Sequence, residues 1–198
     1  LGHWYASEPV FYSTPDIIIS AKGLTSGYVP LAAMIISDQL IDEVSQSVEG
    51  GAVFSNGFTY SGHPVACAAA LANMDLFESD GLLENARALG PYMQSQLQSL
   101  ADLPIVGDIR GHGLMGCLEC VVSKESKQPL ELDYAVGNRI DKYCQQLGLL
   151  VRPVINMCVM SPPLCITAEQ IDDMVKILRE GISRTMDDLE REGVGRFS

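Results

Sequence analysis

The run Asp16-Ile17-Ile18-Ile19-Ser20-Ala21 is β-branched, apolar and only a few residues long. Such a run is too short for a helix and reads as a buried strand. It sets the pattern for the chain, in which short apolar runs alternate with longer amphipathic stretches. Leu31 to Ile36 reads as a second buried strand, and Ser37 or Asp38 can cap a helix from Gln39 to about Val48 that Gly50-Gly51 stops. Pro64 suits the first turn of a helix running from Val65 to about Phe77, and His63 helps start it. Its alanines, at 66, 68, 69, 70 and 72, permit close approach to a neighbouring backbone. Leu82 to about Leu100 is helical, with a kink or break expected at Gly90-Pro91.

The composition shifts near Leu103-Pro104, and shorter elements follow. Ile105 to Ile109, Leu114 to Val122, Leu149 to Val154 and Cys158 to Met160 read as strands. Asp133 to Leu147 reads as an amphipathic helix, and Thr167 caps a last helix reaching about Glu192. The pattern is α/β in two pieces, residues 1–101 and residues 102–198.

Charge narrows the partners. Thirteen Lys and Arg against 25 Asp and Glu give a net charge of −12. A chain this acidic repels phosphate backbones and anionic lipid heads, so neither nucleic acid nor a membrane surface is expected. No apolar run approaches the roughly 18 residues of a spanning helix. The six cysteines sit in apolar runs without a dense framework, which points to free thiols in a reducing compartment. Cys117 and Cys120 form a CxxC within an apolar strand, but no second Cys or His pair stands at zinc-finger spacing, so no metal is expected. Gly111-x-Gly113-x-x-Gly116 matches a dinucleotide fingerprint in form only. That motif needs a helix after it, whereas Cys117 to Val122 continue as a strand, so the glycines read as a turn.

Lys22 stands apart from the other lysines. It is the only one before Lys124, and it follows an apolar strand and precedes Gly23. A lysine in a dry pocket loses its proton readily and becomes a nucleophile towards aldehydes. Gly23 would let another group approach. The same position also suits a lysine that snorkels from a strand end.

Four strings carry a resemblance. Ala21-Lys22-Gly23-Leu24-Thr25-Ser26-Gly27-Tyr28-Val29-Pro30-Leu31 resembles the lysine segment of class III aminotransferases, which bind pyridoxal 5'-phosphate (PLP). Phe58-Thr59-Tyr60-Ser61-Gly62-His63-Pro64 resembles that family's phosphate-contacting loop. Ile109-Arg110-Gly111-His112-Gly113-Leu114-Met115-Gly116 resembles its entry into the small domain, and Arg152-Pro153 with Ser161-Pro162-Pro163-Leu164 its C-terminal signature. The order is the family's, and the strings span nearly the whole chain.

The resemblance implies the PLP-dependent transferase fold type I. Residues 1–101 would be the C-terminal part of the large domain and residues 102–198 the small domain of a longer polypeptide. It implies transamination between an amine or ω-amino acid and a keto acid such as pyruvate, through a Schiff base on Lys22. Thr59 would contact the cofactor phosphate, and Phe58 would line the site or pack in the core. Arg152 would bind the substrate carboxylate, although a structural arginine paired with an acidic neighbour is the other reading; Arg110 reads as structural. Read alone, residues 59–62 are a turn ahead of a helix. The family pattern further implies a homodimer with shared active sites, and a cytoplasmic location is expected. Alternatives are another reaction on the same scaffold (an aminomutase, or an ornithine or GABA aminotransferase) and a non-catalytic piece.

Overall fold

The computed structural model describes residues 1–46 and 56–194. Contacts divide it into two compact units, residues 3–82 and a second unit formed by residues 1–2 and 83–198. This border lies earlier than the composition shift near residue 103, and it leaves the helix after Gly81 with the second unit.

In the first unit, β1 (Ile17–Ala21) pairs antiparallel with β2 (Ala32–Ile36), Ile17 opposite Ile36 and Ala21 opposite Ala32. Both strands lie where the apolar runs place them, but neither is buried. Ile19 is 79% exposed and Met34 44%. Ile18 and Ser20, on the alternate face of β1, are only half-buried, so the apolar runs mark strands without marking a core among the described residues. Helix α1 (Asp38–Gln46) follows, and the amide of Leu40 donates to Ser37 Oγ at 3.4 Å. The expected end of α1 at Val48 and Gly50-Gly51 lies outside the described residues. Helix α2 (Pro64–Ser79) starts at the proline, with His63 Nδ1 accepting from the amide of Val65 at 3.2 Å. Trp4 stacks on Phe77 of α2 at 5.1 Å.

From Leu83 onward the second unit contains α3 (Leu82–Gln98), which buries Ala86, Gly90, Met93 and Leu97 at helical spacing. The expected break at Gly90-Pro91 does not occur. Pro91 is exposed, and the residue before it has no Cβ to meet the proline ring, so the helix runs through. Five antiparallel strands follow: β3 (Val106–His112), β4 (Met115–Ser123), β5 (Gln128–Pro129), β6 (Arg152–Val154) and β7 (Met157–Met160). Their order is β3-β4-β7-β6, with β5 on β4. The strand expected from Leu149 begins only at Arg152. The strand from Gln128 was not expected in its polar loop.

Helix α4 (Val136–Gln146) crosses the longest helix, α5 (Ala168–Arg191). Gly181 makes the crossing close, since a Cβ there would stand 2.9 Å from Cys144 Sγ. Thr167 caps α5 in a capping box with Gln170. The core draws Leu118 and Cys120 from β4, Cys158 and Met160 from β7, and Ile171, Leu178 and Ile182 from α5.

Candidate active site

Lys22 is the first residue after β1, and its backbone turns left-handed with φ +53°. Residues Lys22–Thr25 form one 3-10 turn, and Ser26 closes it, also left-handed at φ +49°. Non-glycine residues rarely adopt this conformation, and clusters of it tend to mark functional turns. The turn is tied at several points. The amide of Gly27 donates to Lys22 O at 3.2 Å, and that of Ser26 to Gly23 O at 3.3 Å. Thr25 is buried, and its hydroxyl donates to Val29 O at 2.6 Å. From α2, Asn73 Nδ2 donates to Gly23 O at 2.9 Å and to Leu24 O at 3.1 Å, while Asn73 Oδ1 accepts from Ser26 Oγ at 2.6 Å.

The side chain of Lys22 is exposed and forms no ion pair among the described residues. The dry pocket expected around it is therefore not built by these residues. Ala21 before it and Gly23 after it are exposed as well, so the whole corner lies at the surface of the described residues. A cleft of about 290 Å³ opens beside the turn between Trp4, Tyr5, Gly23, Leu24, Asn73 and Phe77, but Lys22 does not line it. A Cβ placed on Gly23 would meet nothing within 4 Å, so the space beside the lysine backbone is open.

The turn before α2 is ordered by Ser61, whose Oγ accepts from the amide of Phe58 at 2.8 Å. The amide of Ser61 donates back to Phe58 O at 2.9 Å. Phe58 is 85% exposed, which rules out core packing among the described residues. Thr59 is exposed too, and the amides of Thr59, Tyr60 and Gly62 form no hydrogen bond among the described residues. A hydroxyl beside unbonded N–H groups suits a phosphate. An amine without a competing anion suits an aldehyde. The donor chemistry of both turns thus fits PLP.

In the second unit, Arg110, Cys117, Val159 and Arg152 form one row across β3, β4, β7 and β6. Arg110 is held at 2.7 Å by both Asp108 Oδ2 and Glu119 Oε2, and its Nη2 meets Met157 Sδ at 3.2 Å. These bonds keep its guanidinium charged, and they make it structural, as expected. Arg152 is exposed and has no ion pair among the described residues, so the paired-arginine reading fails there. Residues 111–116 close the hairpin between β3 and β4, with Gly111 opposite Gly116 and Gly113 at φ +58°. The dinucleotide fingerprint is thus a strand turn. Cys117 is half-buried and Cys120 buried on β4, on opposite faces, so they are not bonded to one another.

Asn73 is the site residue that sequence reasoning missed. Its signal was present: Ala66, Ala70, Asn73 and Phe77 fall at i, i+4, i+7 and i+11, placing a carboxamide on the stripe that carries the buried alanines of α2.

Comparison with known proteins gives the family. The sequence profile of the family described as "Aminotransferase class-III" matches residues 1–182. A putrescine–pyruvate aminotransferase of Pseudomonas aeruginosa is 37% identical over 185 residues, 93% of this chain and 39% of that protein. A mitochondrial gamma aminobutyrate transaminase of Solanum lycopersicum is 36% identical over 186 residues, 93% of this chain and 36% of that protein. The PMP-bound aminotransferase of Vibrio fluvialis superposes with a TM-score of 0.88 at 37% identity, covering 94% of this chain and 41% of that one. An amine transaminase from an uncultivated Pseudomonas species, in its PLP-bound form, gives 0.87 at 37% identity, covering 93% and 41%. The chain thus spans about two fifths of the length of these relatives. Its α/β elements are those of the fold type I PLP-dependent transferases, and with its sequence matched from Leu1 to residue 182 the chain belongs to the class III aminotransferases, a PLP-dependent enzyme family.

Proposed function

We propose that the full-length protein holds PLP through Nζ of Lys22 and moves an amino group between an amine or ω-amino acid and a keto acid such as pyruvate. The observation that carries this reading is Lys22 itself. Its backbone is fixed at a left-handed corner by bonds from behind, while its amine is left free of any ion pair among the described residues. When bound, the cofactor supplies the electron sink. Lys22 Nζ would anchor it and, once freed by the incoming amine, would carry a proton from the substrate carbon to the cofactor carbon. Thr59 donates its hydroxyl to the phosphate, and Phe58 lines the site. Arg152 grips the substrate carboxylate with its guanidinium fork, which nothing else among the described residues engages.

A productive Lys22 has to be sheltered from water. We assign that shelter to the remaining length of the polypeptide and to a second subunit sharing its active site, since the chain spans only 39% of its putrescine–pyruvate relative. Residues 1–101 then belong to the large domain and residues 102–198 to the small one. Six free thiols support a reducing compartment, and we place the protein in the cytoplasm.

Borohydride reduction of the PLP-loaded, full-length protein followed by peptide mapping tests the assignment. A pyridoxyl adduct on Lys22 is expected, and one on another lysine overturns it. Lys22→Ala should lower kcat by about 10³-fold or more. The gamma aminobutyrate transaminase relatives favour a second reading, an ω-amino acid as the physiological donor. Coupled assays of putrescine against γ-aminobutyrate, each with pyruvate and with 2-oxoglutarate, separate the two.

A further inference from the structure

The Lys22 turn is bonded by only one side chain from outside the segment 22–29 among the described residues, that of Asn73. The carboxamide is used at both ends. Two carbonyls, Gly23 O and Leu24 O, face Nδ2, and carbonyls can only accept. The reverse orientation would set Oδ1 against both of them, so the contacts themselves fix which end is which. Ser26 Oγ then completes the set by donating to Oδ1. These bonds link residues 47 to 50 positions apart in sequence, and they grip a turn whose first residue and closing residue are both left-handed.

We propose that Asn73 is a positioning residue for Lys22. By holding the two carbonyls that follow the lysine, and the serine that closes the turn, it fixes the direction in which the Lys22 side chain leaves the backbone. The role rests on the reading of Lys22 as the PLP lysine. Aspartate at this position has the same shape, but it sets a carboxylate oxygen against two carbonyl oxygens. Alanine removes the clamp without adding charge.

The experiment uses the full-length, PLP-loaded protein with Asn73→Asp and Asn73→Ala. Three readouts are followed: amide hydrogen exchange over residues 23–27, the pH midpoint of the cofactor's visible absorbance, and kcat against KM for the amine. Expected are exchange accelerated about tenfold or more at those amides, a midpoint moved by roughly half a pH unit or more, and kcat lowered about tenfold with KM within about twofold. Asn73→Asp keeps the test decisive where Asn73→Ala fails to fold. Faster exchange with an unchanged midpoint and unchanged kcat would mean a purely structural clamp and overturns the proposal. Unchanged exchange overturns it as well. If borohydride places the pyridoxyl group elsewhere in the unsubstituted protein, the Lys22 reading falls and this one with it. An adduct on Lys22 with an unmoved midpoint in both variants sinks the positioning role alone.

Discussion

Arg110 and Arg152 stand in one row of the same sheet, yet their surroundings differ. Arg110 has two carboxylates at 2.7 Å, but its side chain is half exposed, so solvent screens the pairs. Arg110→Ala should cost under about 1 kcal/mol of stability in denaturant titration. Arg152→Ala should leave stability alone and raise KM for pyruvate by about tenfold or more, the size of one charge-assisted hydrogen-bonded pair. An aldehyde acceptor without a carboxylate should show no such change. Equal effects on both acceptors would remove Arg152 from the substrate site. Gly90 gives a prediction of opposite logic. Alanine normally favours a helix interior over glycine by up to ~1 kcal/mol. Here a Cβ would lie 2.7 Å from Gly113 Cα, a backbone atom that cannot swing away. Gly90→Ala should therefore destabilise by about 1–3 kcal/mol, read as a lower thermal midpoint.

At the scale of elements, α5 was the most legible. Its buried residues Ile171, Met174, Val175, Leu178, Gly181, Ile182, Thr185 and Leu189 fall on one face at helical period, and Thr167 with Gln170 announces its start. Thr167→Ala removes the acceptor for the Gln170 amide and should cost about 1 kcal/mol, without change in the spectrum of the folded state. The strands β1 and β2 were equally legible as strands, but their burial was not. An apolar run records what a strand will bury once its neighbours are in place, and among the described residues β1 pairs only with β2. The short strand β5 was illegible because its two residues carry no pattern of their own and take their pairing from the end of β4 across a short turn. The helix through Pro91 was illegible for a similar reason, since exposure of the proline is decided by packing on the opposite face.

Across the whole molecule, the buried thiols set an alkaline limit. Burial raises the Cys144 thiol from its ordinary value of 9.0 to about 11 and that of Cys120 to about 12, and pushes Cys158 up further. A thiol whose folded value is raised supports the fold fully below its unfolded value, near 9.0, and loses that support as pH climbs towards 11. Thermal midpoints should fall between those pH values, and Cys144→Ala should flatten the fall even though it lowers stability at neutral pH. A flat profile in the unsubstituted protein would contradict the burial. In a thiol-labelling time course at neutral pH, the exposed Cys165 should react first, and Cys120, Cys144 and Cys158 only after unfolding.

The sequence by itself determined the order and type of the main elements, the caps of α2 and α5, the turn character of Gly111 to Gly116, and the candidacy of Lys22, Thr59 and Arg152. The elements, caps and turn rest on local chemistry, that is, side-chain period and capping groups, whereas the candidacy of Lys22, Thr59 and Arg152 rests on the resemblance of their strings to class III aminotransferases. Tertiary structure alone decided that Lys22 sits on a left-handed corner held by Asn73, that Arg152 has no ion pair among the described residues while Arg110 has two, and that α3 passes through its proline. The Asn73 clamp and the packing of Gly90 on Gly113 join residues far apart in the chain, and the Arg110 pairs depend on the register of β3 on β4, so no single run of residues encodes which partner arrives.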